Sequence, residues 1–262
     1  IHYTNSLKKS TNIKIAKPKV FIPIFTGTHG EYDMEKSFEK AGGKVDSFVF
    51  RTITKEEIDS SYKEMANKIR QCQVLAIPDG AVLGNEPDGG GKLIANILKS
   101  PYIKEAVMDL LDNRDGLVLG IGSGFKALVK SGLLANGLNI TYNKSGYHVS
   151  TMVKVKVVSN LSPWFSNVEV GQKIILPLST KEGRVVGDEK LIDELIEKGQ
   201  IATQYVDYNP TGSTEGIESI TSPDGRVLGK MASSDRLEDG LYKNIGRVKE
   251  DNIFKAGIDY FG

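Results

Sequence analysis

The segment Gly116-Leu117-Val118-Leu119-Gly120-Ile121-Gly122-Ser123-Gly124-Phe125-Lys126-Ala127-Leu128 carries an apolar run into a glycine-dense turn and then into a helix-like stretch. In α/β enzymes a buried strand that ends this way forces one side chain up at the edge of the sheet, where it can serve as a nucleophile. The apex of this turn is Gly122, which has no side chain to offer. The turn has the build of a covalent-catalysis site without its reacting group.

Few other residues have types that could replace that group. Ser123 lies one position beyond the apex, so its hydroxyl should leave a tight turn in a different direction, and no histidine is placed by local spacing to activate it. His29, in Thr28-His29-Gly30-Glu31, follows the first strand and falls at the functional edge of the sheet, where it reads as a residue at a helix start. His148, in Gly146-Tyr147-His148-Val149-Ser150, reads as a loop or pocket-wall histidine. Cys72 precedes the third strand, at the far end of the sheet, and reads as structural. Gly120, Gly122 and Gly124 match a dinucleotide-binding loop poorly, because Phe125 stands where the third glycine belongs. Gly89-Gly90-Gly91-Lys92 lacks the upstream glycine of a phosphate-binding loop, with Glu86 at that position. Asp79, Glu86 and Asp88 would suit a hard cation if they converged; a solvated loop is the simpler reading, and no His/Cys arrangement has zinc spacing.

The elements that must position these residues follow from periodicity. Val20 to Phe25, Val45 to Phe50, Val74 to Ile77 and Leu117 to Leu119 read as strands; Glu31 to Lys40, Glu56 to Arg70, Lys92 to Leu98 and Lys104 to Leu111 read as helices between them. Strands separated by helices imply a doubly wound, mostly parallel α/β sheet, with its crevice at the carboxyl ends of the strands. Past the turn the texture changes. Met152 to Val158 alternates with period two, and Ile174 to Leu178, Gln204 to Tyr208, Ile217 to Thr221 and Val227 to Met231 also read as strands, with Ser222-Pro223-Asp224-Gly225 as a hairpin turn and Glu189 to Lys198 as a helix. The second half is therefore rich in antiparallel strands. Residues 1–18 are polar and aperiodic and read as a linker or tail ahead of one domain over residues 19–262; with the absence of an initial Met they suggest a chain cut from something longer.

Composition excludes several classes of function. At 262 residues with 39% hydrophobic content the chain can fill a sizeable core. Its net charge of +1 and dispersed basic residues give no field for nucleic acid or anionic membrane. One cysteine fits a reducing compartment, and no apolar run approaches the ~20 residues of a membrane span, so a soluble, cytoplasmic protein is expected.

A set of short motifs then narrows the family. Pro78-Asp79-Gly80, Asn85-Glu86-Pro87-Asp88-Gly89, Asn113-Arg114-Asp115-Gly116, the turn at Gly122, Ser159-Asn160-Leu161-Ser162-Pro163-Trp164, Glu182-Gly183-Arg184, Gly199-Gln200-Ile201-Ala202-Thr203-Gln204-Tyr205, Ser222-Pro223-Asp224-Gly225-Arg226-Val227 and Gly240-Leu241-Tyr242-Lys243-Asn244 occur in this order. The ordered set resembles the C-terminal glutaminase domain of phosphoribosylformylglycinamidine synthase in its long single-chain bacterial form. The resemblance implies a class I glutamine amidotransferase fold, flavodoxin-like, next to a synthetase part that uses ATP and Mg; no cofactor is implied for this domain.

The family's chemistry uses a cysteine thiolate on the turn, a histidine that carries its proton and a glutamate that orients the histidine. Where the family resembles Gly-Ile-Cys-Asn-Gly-Phe-Gln, this chain has Gly120-Ile121-Gly122-Ser123-Gly124-Phe125-Lys126; where it resembles Gly-Lys-Met-Gly-His-Ser-Glu-Arg, this chain has Gly229-Lys230-Met231-Ala232-Ser233-Ser234-Asp235-Arg236. By resemblance Gly122, Ser233 and Asp235 are the vestigial triad positions. Asp79, Gly80, Ser123 and His148 would line the vestigial oxyanion and glutamine pocket, and Lys181 marks a further departure. The expected function is a glutaminase-like domain inactive toward glutamine, retained for structure or for docking on the synthetase part through Glu86, Asp88 and Trp164, with glutamine as a possible pocket ligand. The alternative is a free-standing binding or interaction protein built on the same fold.

Overall fold

The computed structural model describes residues 1–4, 10–82, 89–237, 240–242, 245 and 251–262. Strand β1 (Lys19–Ile24) leads through helix α1 (Glu31–Lys40) to β2 (Lys44–Val49), and α2 (Lys55–Gln71) leads to β3 (Val74–Ile77). Helices α3 (Lys92–Lys99) and α4 (Pro101–Asp112) precede β4 (Leu117–Ile121), which runs into α5 (Ser123–Ser131). The second half holds β5 (Asn139–Thr141), β6 (Val149–Val157), β7 (Lys173–Thr180), β8 (Arg184–Val186), α6 (Glu189–Glu197), β9 (Ile201–Tyr205), β10 (Ile217–Thr221), β11 (Val227–Lys230) and α7 (Ile253–Asp259).

Nine of these strands form one sheet in the order β2-β1-β3-β4-β11-β10-β9-β6-β7, while β5 and β8 pair separately. From β2 to β11 every pairing is parallel; beyond β11 every pairing is antiparallel. The order 2-1-3-4 is that of doubly wound folds, in which the chain reverses direction across the sheet between β1 and β3 and leaves a crevice there. Right-handed crossovers then place α1 on one face and α2 and α4 on the other; α1 packs with α7, α2 with α4, and α3 with α4 and α5. Strands β3, β4, β10 and β11 are buried along their whole lengths, which explains the unbroken apolar character of β3 and β4, while β10 and β11 also bury Glu218 and Lys230.

Two expectations change. The leading stretch read as a linker or tail is tied to the domain wherever it is described: Tyr3 bridges Ser159, the Thr11 amide donates to the Tyr260 carbonyl at 3.0 Å with Thr11 buried, and the Ile15 amide donates to the Phe261 carbonyl. Its polarity hid the few contacts that dock it. Trp164, expected on a docking surface, is fully buried. Its ring lies edge-on to Phe38 at 6.5 Å and its indole N–H donates to the Arg226 carbonyl at 3.0 Å, so it belongs to the core between the sheet and α7. Glu86 and Asp88 lie outside the described residues.

Trp164→Ala is therefore expected to cost ~3–5 kcal/mol of stability, the range for emptying a buried aromatic site, read as a lower urea midpoint. An unchanged midpoint would return Trp164 to the surface.

Candidate functional site

The site forms where the carboxyl ends of β1, β3, β4 and β11 meet. Between β4 and α5 a single residue, Gly122, reverses the chain at φ 56 and ψ −110, a conformation that strongly disfavours any side chain. Two residues later α5 crosses β3 so closely that a Cβ on Gly124 would overlap the Ile77 carbonyl oxygen. The glycine spacing that resembles a nucleotide loop is thus explained by the turn and by helix-on-strand contact.

Asp79, just past β3, fills the space above this turn. Its Oδ1 accepts from its neighbour's amide, Gly80 N–H, and from Ser123 N–H at the start of α5, each at 2.8 Å. A Cβ added at Gly122 would overlap Asp79 Oδ1 and Cγ and lie 2.8 Å from Oδ2. The carboxylate of residue 79 therefore occupies the volume of any side chain at residue 122. Asp79 also holds the opposite loop, since its carbonyl accepts from the His29 and Gly30 amides at 3.2 Å each. Ser123 is buried and donates its hydroxyl to the Gly80 carbonyl, away from the apex, as its position in the turn predicts.

A cavity of about 90 Å³ opens in front of Asp79, lined among others by Gly80, Gly122, Ser123, Lys126, His148 and Arg236. This is well below the ~300 Å³ at which ligand pockets begin. His148 is bonded to the Ser179 hydroxyl at 2.9 Å. His29 also lines the cavity, and its Nδ1 lies 2.9 Å from Arg236 Nη2. A guanidinium only donates, so Nδ1 is the acceptor in this contact. Arg236 is fixed in turn by Asp33 at 3.0 Å.

Lys126, one helical turn beyond Gly122, is buried with its ammonium 3.8 Å from Glu182, itself fully buried and, among the described residues, without a hydrogen-bond partner for its carboxylate oxygens. Burial lowers the Lys126 pKa, opposed by the carboxylates of Asp79 and Glu182. The cavity thus pairs one resident carboxylate with a buried cation behind it.

Ser233 and Asp235 are buried beside the cavity rather than in its wall. The segment that carries them is fixed from below. Glu218 Oε1 accepts from the Met231 and Ala232 amides at 3.0 and 2.7 Å, and Lys230, fully buried, donates to Ser234 Oγ at 2.6 Å while pairing with Glu218 and Asp251 at 3.5 Å. Among the described residues Asp235 has no hydrogen-bond partner for either carboxylate oxygen. Burial pushes its carboxyl up to about 7; the Arg236 guanidinium opposes this and Asp79 adds to it. Cys72 is buried, with its thiol pushed up to about 12, as a structural residue should be. Among the described residues no three His, Cys, Asp or Glu side chains could hold a metal ion, and no helix is long and apolar enough to cross a membrane.

This architecture can be set beside known proteins. Residues 17–261 match the family of CobB/CobQ-like glutamine amidotransferase domains. The chain belongs to that family. The phosphoribosylformylglycinamidine synthase subunit PurQ of Wolinella succinogenes is 30% identical over 221 residues, covering 84% of this chain and 92% of the relative. The PurQ subunit of Rhodococcus jostii is 37% identical over 124 residues, a match that spans 47% of this chain and about half, 54%, of the relative. In fold, the chain resembles the PurLQS structure from Thermotoga maritima with a TM-score of 0.72 at 21% identity, covering 94% of this chain and all of the other. The glutaminase domain of Trypanosoma brucei CTPS, solved with bound acivicin, is similar at a TM-score of 0.53 and 12% identity, over 93% of each chain.

Sequence reasoning singled out Asp79, Gly80, Gly122, Ser123 and His148, and the structure brings these five to one cavity. It missed His29, Lys126 and Arg236 as walls. Lys126 stands where the resembled motif has glutamine, four residues after Gly122, and that spacing on a helix was the available signal.

The Asp235 carboxyl supplies a pH prediction. Its unfolded pKa is about 3.9, so between about pH 4 and pH 7 the folded chain keeps a proton that the unfolded chain has lost. Stability contributed by this group therefore falls as pH rises through that window and levels off above it. Asp235→Asn is expected to remove that fall and to be more stable than the native chain at pH 8, read from urea midpoints at pH 5 and 8. Parallel profiles for the two proteins would contradict this.

Proposed function

We propose that this chain is the amidotransferase-like part of a phosphoribosylformylglycinamidine synthase that no longer hydrolyses glutamine and serves by docking on the synthetase part. Family membership and the PurQ relatives support the enzyme assignment. The ordered motifs, including Ser222-Pro223-Asp224-Gly225-Arg226-Val227, support the single-chain form within that reading.

One observation carries the inactivity: the carboxylate of Asp79 stands on the apex of the turn, over a residue that has no side chain. A glycine cannot form the acyl intermediate, and the two amides that would stabilise an oxyanion already hold a carboxylate. Ser123 does not substitute, because its hydroxyl is directed to the Gly80 carbonyl. His29 does not return the base function in this arrangement, since its Nδ1 is engaged by Arg236. Docking on the synthetase part rests on the family's architecture and not on Trp164, which is in the core.

Incubated with glutamine, with and without its synthetase part, the chain is expected to release no ammonia above a protein-free control and to form no adduct with glutamine-analogue electrophiles. It is expected to co-elute with the synthetase part in size-exclusion chromatography. An adduct mapped to Ser123 would overturn the inactivity. Separate peaks at concentrations well above micromolar would make a free-standing binding protein the better reading.

A further inference from the structure

We infer that Asn136 is a site of spontaneous covalent modification, at which the side-chain amide converts to a carboxylate through a cyclic imide formed with the Gly137 backbone nitrogen. Neither residue lines the cavity, and the inference stands whether or not the chain hydrolyses glutamine.

Asn136-Gly137 is the only Asn-Gly step in the sequence. It sits at the centre of the turn between α5 and β5, which the Leu138 amide closes by donating to the Ala135 carbonyl at 3.4 Å. Gly137 takes the second central position at φ 88, in the left-handed region that favours glycine. Both central residues are exposed, while Leu134 and Leu138 on either side are buried. Among the described residues nothing hydrogen-bonds the Asn136 side chain, and the Gly137 amide donates to no acceptor. Asn143 shows the contrast: it is buried, its Nδ2 is held by the Tyr147 and Thr180 carbonyls at 2.9 and 2.8 Å, and its Oδ1 accepts from the Gly183 amide.

The reaction needs the amide nitrogen of the following residue to reach the asparagine Cγ. A Cβ on that residue obstructs the approach, and glycine has none. Hydroxide from solvent takes the Gly137 N–H proton, the nitrogen bonds to Asn136 Cγ, and the Cγ–Nδ2 bond breaks with release of ammonia. Water then opens the imide at either carbonyl, giving aspartate or isoaspartate without any oxidant or reductant. Exposure supplies the water and the base, and the Asn136 side chain has no hydrogen bond to surrender before it reacts. Both products add a negative charge at neutral pH. Isoaspartate also lengthens the main chain by one atom, in a turn anchored by two buried leucines.

The test incubates the full chain, folded and in urea, for days at mildly alkaline pH and follows its peptides by mass spectrometry. In the folded chain the Asn136 peptide is expected to gain the mass of an amide-to-acid conversion at least tenfold faster than any other asparagine peptide. It should split into two chromatographic forms and convert within tenfold of its rate in urea. Asn136→Gln is expected to abolish the conversion at this peptide, and Gly137→Ala to slow it at least tenfold; the Gln variant carries the test should alanine at φ 88 loosen the turn. The ammonia released is at most stoichiometric with this site, needs no glutamine and accumulates over days, so this test and the glutaminase assay fail separately. An unconverted Asn136 in the folded chain, under conditions that convert it in urea, would overturn the inference, as would conversion spread evenly over the asparagines.

Discussion

The volume above Gly122 admits one side chain. In this structure that side chain is Asp79, and most of the site's geometry depends on it: its carboxylate ties β3 to the start of α5, and its carbonyl ties β3 to the loop that opens α1. Those contacts draw the loops after β1, β3 and β4 together at the reversal of strand order. A side chain on residue 122 and a carboxylate on residue 79 are mutually exclusive by overlap, so the Asp at 79 and the Gly at 122 form a matched pair. The glycine at the apex and the Asp in the Pro78-Asp79-Gly80 turn are thus sterically coupled.

Around this pair the protein buries charge in two different ways. Lys230, Glu218, Asp251 and Ser234 form a closed network that holds the chain after β11, with Thr203 donating to the remaining Glu218 oxygen at 2.5 Å. Such a network is costly to break on one side, because the surviving charge stays buried. Asp235 and Glu182, by contrast, sit buried with no hydrogen bonds to their carboxylate oxygens among the described residues. The first arrangement is structural. The second lies against the cavity wall, Glu182 beside Lys126 and Asp235 beside Arg236.

Much of this was readable in the chain itself, for physical reasons that differ by element. The buried parallel strands were legible as apolar runs, and β3, β10 and α1 begin and end where periodicity places them. Strand β9 was read three residues late, because Ile201-Ala202-Thr203-Gln204-Tyr205 is buried throughout and shows no alternation. Strands β5 and β8 are three residues each, too short to carry a period, and α7 contains Gly257 in its interior. In the site, Gly122 and Ser123 were legible because a strand-turn-helix fixes side-chain direction locally. The placement of the Asp79 carboxylate was not, since it depends on the separation of β3 and β4 in space. Arg236 and His29 meet across 207 positions in sequence, and no local pattern records that contact.

The matched pair can be measured directly by a double-mutant cycle on stability with Gly122→Ala, Asp79→Gly and the double variant. In the native background the new Cβ must either collide with the carboxylate or expel it from two hydrogen bonds; with glycine at 79 only the strain of the backbone at φ 56 remains. The two changes are expected to be non-additive by about 1–3 kcal/mol, with Gly122→Ala much less costly once Asp79 is gone. Additivity within about 0.5 kcal/mol would show that the two residues do not share that space.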